Sequence, residues 1–159
     1  MALLLKGPGN WPAGTSTTPG FEGWIPLSSL QWGAGRPVGV NPNNGRPQPG
    51  RLTFTDITIT KQLDNTTASI ARALQQTTPI DTVEVVEVAD SPNVVGFYPM
   101  LSLKVFNAFF DSYSVSTGGD RPSESVSLTF TRVIGTTITV DAKGTPNIKD
   151  TWTYDALKG

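Results

Sequence analysis

The sequence predicts a mainly β protein, a barrel or sandwich of antiparallel strands with one short helix. Three observations carry that reading. Apolar and polar residues alternate with a period of two, most plainly where Val126, Leu128 and Phe130 share one side and Ser125, Ser127 and Thr129 the other. The chain holds 16 Gly and 13 Pro with abundant Ser and Thr, a composition that separates short strands by turns and works against a helical bundle. Its 159 residues are enough for one buried core, so residues 1–159 are expected to form a single domain.

Taken in order, residues 3–6 read as a first strand and residues 7–20 as a loop rich in Gly, Pro, Thr and Ser. Residues 22–32 read as a second strand, with Leu30 and Trp32 on one face and Ser29 and Gln31 on the other. Residues 33–50, GAGRPVGVNPNNGRPQPG, contain four prolines and five glycines. Missing N–H groups and glycine freedom oppose both a helix and a central strand, which leaves a long irregular loop. Connections beyond ~12–15 residues are uncommon in compact domains and usually functional, so this one is expected to reach beyond its own domain.

Residues 51–61, RLTFTDITITK, form the clearest strand, but the apolar parity shifts from Leu52 and Phe54 to Ile57 and Ile59. A bulge near Thr55 and Asp56 accounts for that shift. Asp64, Asn65, Thr66 and Thr67 offer N-cap side chains to a helix over residues 68–76, whose stripe is Ile70, Ala73 and Leu74. Further strands are expected at residues 82–88, 99–110, 113–116, 125–134 and 137–140, with turns at 90–93 and 116–120 among them, and a last strand at 151–155.

Charge and residue usage narrow the function. Twelve basic residues against 13 acidic ones give a net charge of −1, without long-range attraction to nucleic acid or an anionic membrane. Absence of both Cys and His removes disulfides, thiol nucleophiles, Cys/His zinc sites and imidazole acid–base chemistry. No catalytic residue, cofactor or metal is expected. The opening MALLLK is too short for a signal-peptide core, and no apolar run approaches the ~20 residues of a membrane helix. Neither a conventional export signal nor membrane insertion is expected.

Several residues have both a functional and a plain structural reading. Glu84 with Glu87, or Asp111 with Asp120, would be needed as an acid–base pair in a glycosidase, yet carboxylates in strand-rich chains mostly face solvent. Trp11, Trp24, Trp32 and Trp152 suggest a sugar-stacking platform or, better, core and subunit contacts. Arg36, Arg46 and Arg51 suit an anion or another subunit. Lys61 is expected to keep its charge in water and Asp64 to cap the helix. Glu124 shares the parity of Val126 and Leu128, so its carboxylate points to an apolar side and needs a partner.

Four blocks in a fixed order carry a family resemblance: Ile25-Pro-Leu-Ser-Ser-Leu-Gln-Trp-Gly, Leu52-Thr-Phe-Thr-Asp-Ile-Thr-Ile-Thr-Lys-Gln-Leu-Asp, Val115-Ser-Thr-Gly-Gly-Asp, and Glu124-Ser-Val-Ser-Leu-Thr-Phe. Together they resemble the haemolysin-coregulated protein (Hcp) family, the inner-tube protein of bacterial type VI secretion systems. The resemblance implies a small antiparallel β-barrel with the helix on its flank, assembling into hexameric rings that stack into a hollow tube. It further implies a contractile sheath, a spike protein and small effector proteins as partners. Assembly in the bacterial cytoplasm would precede secretion through the type VI system without a signal peptide.

Carried over residue by residue, the resemblance places Ser29 and Gln31 at lumen-facing positions as cargo-contact candidates. It makes residues 33–50 the extended loop between subunits and rings, with Arg36, Val38, Val40, Asn43, Arg46 and Arg51 as interface candidates. Two other functions stay open on sequence. A tail-tube protein of a phage or phage-derived particle shares the architecture, and a carbohydrate-binding β-sandwich would use the tryptophans.

Overall fold

The computed structural model describes residues 2–91 and 94–156. Among these residues thirteen strands and one helix run in the order β1 Ala2–Lys6, β2 Ile25–Pro26, β3 Ser29–Gln31, β4 Ala34–Gly35, β5 Val38–Val40, β6 Pro47–Pro49, β7 Thr53–Phe54 and β8 Ile57–Gln62. The helix α1 Thr67–Ala73 follows, then β9 Ile80–Ser91, β10 Val94–Ser116, β11 Ser123–Thr129, β12 Arg132–Val140 and β13 Pro146–Asp155. Antiparallel pairing links β2, β1, β9, β10, β11, β8 and β3 in that order, and β12 joins β10 to β13.

The long strand β10 organises the fold. Its first half pairs with β9 and β12 and its second with β11. At the changeover Asn107 has φ 52, a left-handed conformation that Asn tolerates better than most residues. The break expected at residues 111–112 is instead a register shift between Phe110 and Ser112 within one continuous strand. Across from it, β11 and β12 succeed each other along β10, so the strand expected over 125–134 is interrupted at 130–131, and its second part runs without a break into the strand expected at 137–140.

The second strand expected over residues 22–32 is split, because its two halves serve opposite edges. β2 pairs with β1, and β3 with β8. Between them the Leu27 N–H donates to Leu3 O at 2.9 Å and the Ser28 N–H to Thr60 O at 2.7 Å. The barrel therefore has no strand ladder at this seam, and single backbone bonds from neighbouring residues hold the two edges together.

Inward residues alternate along every wall strand: Ile57 and Ile59 of β8, Val83 and Val85 of β9, Leu103 and Val105 of β10, Val126 and Leu128 of β11. Burying an aliphatic side chain of this kind is worth about 1.5–3 kcal/mol. The helix adds Ile70 and Ala73 to the same core, which fixes it to the barrel. Its N-cap is Thr66, without a side-chain cap bond; Asp64 lies two residues earlier and accepts the Thr66 N–H at 2.8 Å. Asp64 thus shapes the turn into the helix, where the sequence suggested a cap. The turn expected at residues 90–93 lies partly outside the described residues, since Pro92 and Asn93 are not among them.

Residues 33–50 depart most from the sequence reading. They carry β4, paired with β7, and a two-stranded arm of β5 and β6 with Val38 opposite Pro49 and Val40 opposite Pro47. Gly50 N–H bonds Pro37 O and Asn41 N–H bonds Arg46 O. Antiparallel pairs alternate, so the hydrogen-bonded pairs fall at 37/50, 39/48 and 41/46. Pro47 and Pro49 occupy the intervening positions, where no ladder bond is lost. Prolines that exclude a central strand are compatible with this isolated ribbon.

Candidate functional site

The outward face of β3, β8, β11 and β10 carries short polar side chains in register. One row across the four strands is Ser29, Thr60, Ser125 and Ser114. The next is Gln31, Thr58, Ser127 and Ser112. A third, shorter row is Gln62, Ser123 and Ser116. The two sequence-predicted cargo contacts, Ser29 and Gln31, thus form one edge of a continuous surface. Its other members were missed, although the Ser-x-Ser-x-Ser and Thr-x-Thr spacings mark each strand; only the register joins them. Ser29 and Thr60 hydroxyls lie 2.6 Å apart and those of Thr58 and Ser127 3.3 Å, which limits their freedom.

Directly behind this surface lies a buried ionic cluster. Lys61 and Glu124 are register partners on β8 and β11, both fully buried, with Nζ 2.8 Å from Oε2. The same ammonium bonds Asp64 Oδ1 at 2.9 Å and Gln62 O at 2.9 Å. The Tyr113 hydroxyl donates to the other Glu124 oxygen at 2.8 Å. Lys61 is therefore not in water: its three donors are matched by three acceptors, as a buried charge requires. Burial pushes the Asp64 carboxyl up, but the Thr66 hydroxyl and Lys61 outweigh it and hold its pKa below the usual value. Burial, then the Glu124 bond and charge, push the Tyr113 phenol up to about 12.

At one end of the face Thr129 bonds both Asp56 and Asp111. The Asp56 pKa is raised, first by its hydrogen bond with Asp111, then by burial and by the Asp111 charge. Asp111 sits at the bulge of β10, whereas Asp120 lies in the link beyond the strand end, five residues of strand or roughly 17 Å further along. Glu84 and Glu87 fall on opposite faces of β9, and Glu84 accepts from Ser102 at 3.1 Å. Neither suggested carboxylate pair converges. In the 117–122 link, Gly118 has φ 144 and allows the chain to reverse between β10 and β11. Among the described residues no group of three or more His, Cys, Asp or Glu side chains is placed to hold a metal ion.

The tryptophans are packed against other rings. Trp32 stacks on Trp152 at 5.3 Å and Phe54 lies 4.3 Å from Tyr154, forming one aromatic cluster. Trp11 stacks on Phe110 and Trp24 meets Phe21 edge-on. Of the interface candidates, Val38 is 61% and Val40 70% exposed on the arm. Arg36 and Arg46 are also exposed, and Asn43 donates its N–H to Asn41 Oδ1 in the tip turn. Arg51 is exposed but turned back, donating to Ala156 O at 3.0 Å.

These features define a class: an antiparallel β-barrel with a polar outer wall on four strands and a two-stranded arm that exposes Val38 and Val40. The family profile described as "Type VI secretion system effector, Hcp" matches residues 4–136. The chain belongs to the Hcp family, and it is a tube subunit of the type VI secretion system. Solved structures agree on the fold. A type six secretion system protein superposes with a TM-score of 0.85 at 19% identity, covering 99% of this chain and 96% of that one. Hcp1 from Salmonella typhimurium gives 0.72 at 16% identity, over 99% and 95%. A type VI secretion system effector from Yersinia pestis gives 0.71 at 14%, over 96% and 98%. A search of curated protein sequences finds no match. No helix among the described residues is long and apolar enough to cross a membrane.

Proposed function

We propose that the chain forms homo-hexameric rings that stack into a hollow tube, with the four-stranded polar face turned to the lumen and the β5–β6 arm reaching a neighbouring ring. The observation that carries this reading is the arm itself. Val38 and Val40 are mostly exposed on a ribbon that makes no core of its own, which is a costly arrangement unless another surface covers it. Family membership supplies the partner, another tube subunit. Residues 1–159 act as one unit, Ser29 and Gln31 touch cargo, and Arg36, Val38, Val40, Asn43, Arg46 and Arg51 lie at or near subunit contacts.

The proposed role is structural, without catalysis. A sheath drives the tube, a spike tips it, and small effectors ride inside. The subunit assembles in the bacterial cytoplasm and leaves through the type VI machine. The test is secretion from a host with an active type VI system, compared with the same strain lacking its sheath. Recovery from the medium only with the sheath intact is expected, with V38D/V40D retained in the cells as folded protein. Equal release by both strains would overturn the reading.

A further inference from the structure

We propose that the polar face of β3, β8, β11 and β10 is an uncharged hydrogen-bonding lattice that holds neutral, Ser/Thr/Asn/Gln-rich segments of a cargo polypeptide, with little dependence on salt. This rests on the tube reading and names the chemistry of its lumen wall.

The eleven side chains of the three rows are all hydroxyls or primary amides, and none is charged. Seven are exposed, and the four in the middle are half-buried by their neighbours, so the face is open. The charges of the same strands are elsewhere. Lys61 is held beneath the face between Glu124 and Asp64, Arg121 binds the Gln62 amide at one end, and Asp56 and Asp111 flank Thr129 at the other. By contrast, the outward residues Leu4, Val86 and Val88 of β1 and β9 are apolar and covered by Phe21 and Trp24.

A hydroxyl both donates and accepts, and an amide does so through two atoms, so such a lattice matches peptide groups and amide side chains in either orientation. Without a charged group among the eleven side chains, the face itself offers little Coulombic attraction for salt to screen. Rigid strands and the Ser29–Thr60 and Thr58–Ser127 contacts reduce the ordering needed on binding. A sugar ligand would want an aromatic plane, and the four tryptophans pack against other rings. Phe109, opposite Thr129, puts a partly exposed ring at a corner of the face.

The experiment uses rings of the full chain and three fluorescent peptides of equal length, one Ser/Gln/Asn-rich, one Lys-rich and one Glu-rich, with maltohexaose as a sugar probe. Binding is read by anisotropy, and by competition for the sugar, from about 20 to about 500 mM NaCl, a range over which screening changes severalfold. The neutral peptide is expected to bind best, with a Kd that changes less than twofold. S114K and S29K, both at exposed positions, are expected to weaken it about tenfold and to create a salt-sensitive site for the Glu-rich peptide. Preference of the native rings for a charged peptide or for the sugar, absence of binding to the neutral peptide, or unchanged binding by both variants would overturn the proposal.

Failure of the tube reading shows separately. Light scattering on the same sample reports whether rings exist, and the cysteine-free chain allows S125C to be labelled at a single site. Reaction with a small maleimide but not with a bulky polymeric one places the face inside the tube; equal reaction with both places it outside, whatever the peptides do.

Discussion

Lys61 shows what one residue contributes when water is removed. Its ammonium joins β8, β11 and the turn before the helix, so Lys61→Met leaves Glu124 and Asp64 without their cation. Breaking a buried pair from one side costs about 3–5 kcal/mol, and the urea midpoint is expected to fall accordingly. Replacing both Lys61 and Glu124 by apolar residues should recover part of that loss. An unchanged midpoint for Lys61→Met would show that the cluster is solvated. Glu124 was legible in the sequence because its parity pointed inward; Lys61 shares the parity of Ile57 and Ile59 and carried the same signal, but the partner that lets it stay buried is 63 residues away and pairing of β8 with β11 is a tertiary fact.

Three titrations belong to the same scale. A phenol raised to about 12 keeps its neutral form favoured by the fold, so the contribution of Tyr113 is full below pH 10 and declines as pH rises toward 12. Ultraviolet titration should show one of the three tyrosines ionising late, and Y113F should remove that step. Asp56 is likewise raised, from an ordinary 3.8, so stability is present in acid and lost as pH climbs through its folded pKa. D111N removes the opposing carboxylate and should flatten that decline in Tm above about pH 4. A steeper decline in D111N would contradict the assigned cause. Asp64 works in the opposite sense, its contribution fading as pH falls below 3.8.

At the scale of elements, packing and pairing decide what local pattern could not. The sequence placed most wall strands and the helix within a few residues, since alternation and caps are local signals. It read residues 33–50 as irregular because a proline's effect depends on whether its position would carry a ladder bond, which only the 38/49 and 40/47 register reveals. V38D/V40D should shift monomer stability by no more than about 0.5 kcal/mol per site, because both are exposed, while abolishing stacking seen by electron microscopy. Gly135 tests packing of the opposite kind. A Cβ there would lie 2.2 Å from the Trp152 ring, so G135A is expected to cost about 1–3 kcal/mol by displacing the indole that stacks on Trp32. A thermal scan of G135A at the native Tm would contradict that packing.

For the whole molecule, the fold turns sequence regularities into two different surfaces. Inward alternation builds a core common to such barrels, and outward alternation on four strands builds a polar wall. Ser29 and Gln31 were legible as one strand's polar face; the remaining rows needed the order β3, β8, β11 and β10, which no short-range pattern specifies. A closed ring of subunits would turn that wall to a common axis and cover exposed edges and arms with neighbours. The measurement that tests this most directly is light scattering of the purified protein, with electron microscopy of the same fraction. A mass six times the 17.0 kDa chain, in rings with an open centre, is the predicted result, and a monomer at every concentration would contradict it.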